Sequence, residues 1–120
     1  MVCLKHKISD RLLYFANLCR TNLYEANLFS ANLEIVSMNE ANLSGANLVA
    51  ADLFCADLSR ANLSGANLSH AKLLGVFLTK VVVDGDKKPT LTGAHIEDVD
   101  FRDTQIQPVW LHDAIGTPRL

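Results

Sequence analysis

The stretch ANLSGANLVAADLFCADLSRANLSGANLSHAKL, residues 41–73, places a leucine at every fifth position and an alanine two residues before each one. An α-helix repeats near 3.6 residues and a half-buried strand at 2, so neither aligns Leu43, Leu48, Leu53, Leu58, Leu63, Leu68 and Leu73 on one face. The same beat runs back through Leu33, Leu28, Leu23, Leu18 and Leu13 to Ile8, with Met38 in register, and forward to Leu78 and Val83. That makes sixteen centres with no insertion. A repeat this short cannot bury its own apolar side. The chain must therefore coil on itself and stack each repeat on its neighbours.

At 120 residues, 49% of them apolar, the chain is one domain with enough hydrophobic material for a real core. The formal charge of −2, from 13 acids against 11 bases, creates no broad field that would gather nucleic acid or an anionic membrane. Direct nucleic-acid and membrane binding are not expected. No apolar run approaches the roughly 18 residues of a membrane span, and MVCLKHKISD lacks the apolar centre of a signal peptide. A soluble, cytoplasmic protein is the expectation. Cys3, Cys19 and Cys55 are odd in number and follow no metal-ligand spacing, so reduced thiols are expected.

Ala-Asn-Leu or Ala-Asp-Leu followed by two freer residues resembles the pentapeptide-repeat family, strictly from Ile8 to Val83 and in degenerate form to Ile106. The resemblance implies an all-β fold, a right-handed quadrilateral β-helix with one pentapeptide per side and residues twenty apart stacked. The sequence supports that number independently. Large or apolar residues just after the centres, namely Tyr14, Phe15, Ile35, Phe54, Cys55 and Leu74, fall on one side if a coil holds twenty residues and scatter at fifteen or twenty-five. Arg20, Glu40, Arg60 and Lys80 then form one edge, and Gly45, Gly65 and Gly85 another. About five coils follow.

In this geometry the centre and the residue two before it point inward. Alanine at the second place keeps a close-packed interior from crowding. Val36 and Val76 depart from alanine but share a column with Ala16 and Ala56, so large and small alternate, and flexible Met38 can adapt beside Val36. Asparagine precedes the centre at Asn22, Asn42 and Asn62 and at Asn27, Asn47 and Asn67. These amides are expected to form structural ladders up the stack.

The chain reads as a single pentapeptide-repeat domain, 1–120, with regular coils over 6–83. At DGDKKPT, 84–90, the rhythm breaks in a loop with turn residues, and the step from Val83 to Leu91 is eight rather than five. A degenerate coil over 91–106 follows, centred on Leu91, Ile96, Phe101 and Ile106. The remaining residues, 107–120, carry Val109, Trp110, Leu111 and Ile115. They are expected to cap the exposed end of the stack, with a helical turn ended by Gly116 and Pro118.

A filled β-helix offers no cleft in which catalytic groups converge. His6, His70, His95 and His112 do not pair at metal-ligand spacing, and no glycine-rich phosphate loop is present. No catalytic residue, cofactor or metal site is assigned, and the chain is read as a non-enzyme. The functional clue is the outer apolar column of Tyr14, Phe15, Ile35, Phe54, Cys55 and Leu74, with Phe29 and Val49 on the adjoining side. Such a patch marks a protein contact. A second candidate is the protruding loop, with Asp84, Asp86, Lys87 and Lys88 as its recognition residues. The leading reading is an interaction module that presents a flat surface to a protein partner, a homodimer included. The alternative that the family resemblance implies is a DNA mimic occupying a type II topoisomerase such as gyrase. Nearly balanced charge and a short stack count against that alternative.

Overall fold

In the computed structural model, residues 13–84 and 87–120 are described. Each pentapeptide contributes one bridging residue followed by a turn. Leu23 shows the local logic: its carbonyl accepts the Ala26 N–H at 3.0 Å, closing a turn over Tyr24 and Glu25. The third residue of that turn, Glu25, has a positive φ of 55°, as a type II turn requires. The same left-handed corner recurs every five residues from Phe15 (φ 64°) to Lys80 (φ 57°). Four such corners return the chain to its starting side, because parallel bridges pair residues twenty apart: Asn22 with Asn42, and Asn42 with Asn62.

Successive coils are joined by ladders of backbone hydrogen bonds. Leu23 N–H donates to the Asn42 carbonyl (2.8 Å), Asn42 N–H donates back to Thr21 (3.0 Å), and Glu25 N–H donates to Ser44 (2.9 Å). Each side holds a single bridging residue between corners, so it forms a run of isolated bridges rather than long strands.

The core is the ladder the period implies. Leu23, Leu28, Leu33, Met38, Leu43, Leu48, Leu53 and Leu58 are fully buried, and alanines from Ala26 to Ala71 fill the second inward column. Val36 and Val76 are buried in the column they share with Ala56. Burial of each leucine contributes about 1.5–3 kcal/mol of transfer free energy, which makes this ladder the main stabilising feature.

The asparagines act differently from the ladder expected of them. The Oδ1 atoms of Asn22, Asn27, Asn42, Asn47, Asn62 and Asn67 each accept the backbone N–H two residues on, at 3.0–3.2 Å. Asp52 and Asp57 do the same for Phe54 and Ser59. The amide oxygen thus accepts the first N–H of its own turn.

The segment following Val83 shifts the register without breaking the stack. Asn62 pairs with Val82 at the usual spacing, but Asn67 pairs with Thr90 and Lys72 with His95, twenty-three apart. Pro89 is buried in the inward place that alanine occupies elsewhere. Further on, Pro108–Leu111 forms a 3-10 turn. Leu111 is buried, and partly buried Trp110 packs on the core. Val109 and Ile115 are exposed instead of lying over the core. The reason is the ladder: Ile115 bridges His95, Arg119 bridges Asp100, and Gly93 N–H donates to Asp113, so this segment extends two sides of the stack.

Candidate protein-interaction face

The four sides differ in what they show to solvent. The first side, with Leu13, Leu33, Leu53, Leu73 and Ile96 as centres, carries two outward columns. One runs Asn32, Asp52, Lys72, His95 and is fixed by the bridges between them. The other, two residues further along each repeat, runs Tyr14, Glu34, Phe54, Leu74, Glu97. The second column holds the exposed apolar groups, with Phe54 42% and Leu74 47% accessible. Between the columns lies a shallow groove of about 420 Å³, lined by Glu34, Asp52, Phe54, Lys72, Leu74, His95 and Glu97.

Charges frame this groove. Lys72 Nζ lies 3.7 Å from Asp52 Oδ2, a pair of exposed lysine and partly buried aspartate that cancels its own charge. Glu34 and Glu97 stand at either end of the apolar floor. Neither is in an ion pair among the described residues.

The corner following this side carries Phe15, Ile35 and Cys55. Phe15 is exposed and meets Tyr14 edge-to-face at 4.7 Å. Ile35 and Cys55 are partly buried. The Cys55 thiol leans over Gly75, where a Cβ would come within 2.8 Å of Sγ. Side chains at left-handed corners thus point along the stack, and glycine in the next coil makes room. Phe29 and Val49 belong to the preceding side. Ala50 at the corner and the Asp52 column separate them from Phe54, and neither lines the groove.

Phe77 escaped sequence reasoning. It bridges Asp57 on the second side and is 58% exposed, next to Cys55 and Gly75 around a second depression of about 400 Å³. It occupies the place usually held by asparagine or aspartate, and that substitution was the available signal. Below it on the second side, partial burial pushes the Asp57 carboxyl up. The hydroxyl and N–H of Ser59 and the amide of Asn39 outweigh this and hold it below its usual 3.8. Asp100 receives two guanidinium bonds from Arg102, at 2.9 and 2.7 Å, which keep it well below the carboxylate range.

In the loop, Asp84 accepts an amide N–H from Asn62 at 3.1 Å and its own N–H donates to Ser64 Oγ. The Lys87 carbonyl takes the rung from Gly65 N–H at 2.7 Å. Lys87 and Lys88 are exposed, and Asp86 lies outside the described residues. Among the described residues no three His, Cys, Asp or Glu side chains gather as a metal site, and no helix is long and apolar enough to cross a membrane.

The pentapeptide-repeat family model matches eight copies across residues 12–45, 36–69 and 61–82. This chain is a pentapeptide-repeat protein. Members of the family fold as right-handed quadrilateral β-helices, the architecture the twenty-residue bridges describe here. Among solved structures, the chain is similar to a pentapeptide-repeat protein of the Arabidopsis thaliana thylakoid lumen, with 27% identity and a TM-score of 0.54. That match covers 88% of this chain and 77% of the other. It is also similar to Rfr23 of the cyanobacterium Cyanothece 51142, with 31% identity and a TM-score of 0.53, covering 86% of this chain and 63% of that one. No curated protein matches.

Proposed function

We propose that this pentapeptide-repeat protein is a non-enzymatic interaction module whose first side receives a protein partner. The scaffold is a stack of about five coils. The observation that carries the reading is the pair Phe54 and Leu74, adjacent in one column, each almost half exposed, flooring a groove on an otherwise polar side. Water is displaced cheaply from such a floor, and the ladder beneath it is already rigid, so a partner orders little on binding. Among the described residues the interior is filled mainly by leucine and alanine, which supports the non-enzymatic reading. A cytoplasmic location belongs to the same proposal and is checked by cell fractionation.

The test uses the native chain and a Phe54→Ser, Leu74→Ser variant of equal melting temperature, first by light scattering and then as paired baits. A species held by the native chain and lost with the variant supports the reading. Equal retention by both overturns it.

A further inference from the structure

The groove on the first side also specifies a class of partner, and we infer that it takes a basic amphipathic helix. The inference rests on the reading of this side as an interaction face.

The backbone of the side excludes an added strand. Leu33, Leu53 and Leu73 donate their N–H groups to Asp52, Lys72 and His95, while Asp52, Lys72 and His95 donate back to Ala31, Ala51 and Ala71. An extended peptide laid over this surface would bury its own N–H and C=O groups against Phe54 and Leu74 without partners. A helix arrives with its backbone already bonded and needs only an apolar stripe.

Charge then selects the sign. The Asp52–Lys72 pair compensates itself, which leaves Glu34 and Glu97 as the net charge of the groove, one at each end of the Phe54–Leu74 floor. These glutamates are three coils apart, about 14 Å at the spacing of stacked strands. On a helix that distance is about nine or ten residues. The matching ligand has lysine or arginine at both ends of such a span and leucine-like side chains between them on the same face. A second copy of this chain fits worse, because antiparallel apposition of the two first sides would set Glu34 against Glu97 at both ends.

Fluorescence anisotropy with synthetic helical peptides of about 14 residues tests this. One peptide carries a leucine stripe with lysines at both ends, and its counterpart replaces those lysines by glutamate. The native chain is expected to bind the basic peptide at least about tenfold more tightly than the acidic one. A Glu34→Lys, Glu97→Lys variant, with its melting temperature checked, is expected to reverse that order. Phe54→Ser is expected to weaken both peptides. No binding of the basic peptide, or a charge-reversed variant with unchanged preference, overturns the partner class. If Phe54→Ser still abolishes binding in the latter case, the face itself stands. Binding indifferent to Phe54→Ser overturns the face as well. A native dimer that Phe54→Ser dissociates overturns the helix in favour of a second copy.

Discussion

At the scale of single residues, each corner of the stack is a compromise between conformation and bonding. Among the described residues, thirteen non-glycine residues stand at positive φ, where an L side chain costs about 1–2 kcal/mol. Ala50 (φ 58°) is an exposed example. Ala50→Gly is expected to raise unfolding free energy by up to about 1 kcal/mol, the relieved strain exceeding the added chain entropy. Chemical denaturation measures it, and a loss of stability would show that the corner is unstrained. Where asparagine precedes the centre, its bond to the turn offsets part of that cost. Asn67 Oδ1 accepts both the N–H and the hydroxyl of Ser69, at 3.0 and 2.6 Å. Asn67→Ala is expected to lose about 1 kcal/mol, and Asn67→Asp to stay near the native value at neutral pH. The sequence placed these amides outside but not their bonds. Period specifies which way a side chain points, whereas the bond depends on where the following turn brings its first N–H.

At the scale of the coil, inside and outside separate sharply. Leu58 is fully buried and Phe54, four residues earlier, is exposed. Leu58→Ala is expected to cost about 2–5 kcal/mol by opening a cavity in the axis, and Leu58→Lys to abolish the cooperative transition by burying a charge. Phe54→Ser is expected to stay within about 0.5 kcal/mol. Thermal unfolding of the three variants side by side decides the assignment, and comparable losses at Leu58 and Phe54 would reverse it. The side bearing Tyr14, Phe54 and Leu74 was legible in the sequence because the column emerges once the coil is set at twenty. The separation of Phe29 and Val49 from the groove was less visible, since adjacency across a corner depends on how sharply the chain bends there. Leu111 was legible only in part. It keeps the five-residue beat from Ile106, but the flanking Val109 and Trp110 hide the motif.

At the scale of the whole molecule, stability is shared between an apolar axis and outward carboxylates that accept turn bonds. Asp57 and Asp100 have folded pKa values below their ordinary ones. A depressed carboxyl contributes stability that is full above its unfolded pKa and is lost as pH falls through the folded value. The melting temperature is therefore expected to fall on acidification below about pH 4. Asp57→Asn, which retains the bond to Ser59 N–H, is expected to flatten part of that fall, and an unchanged acid profile would remove Asp57 from the account. Balanced charge bears on function at the same scale. Acids and bases number 13 and 11, too even for a rod imitating the duplex phosphate field. Excess protein is expected to leave supercoiling by gyrase unaffected, and inhibition would revive the DNA-mimic alternative.

The sequence by itself determined the coil. A period of five incompatible with helix or strand, together with columns that align at twenty and scatter at fifteen or twenty-five, supports the four-sided stack that the family resemblance implies as the way to bury the leucines. Only the tertiary structure decided how the corners are satisfied, that Pro89 replaces an alanine inside the shifted coil, and that the last residues pair with Gly93, His95 and Asp100. It also decided that Glu34 and Glu97 bracket Phe54 and Leu74. The shifted coil and the groove join residues whose separation along the chain changes from twenty to twenty-three, and a local repeat carries no record of which coil lies above which once the spacing has slipped.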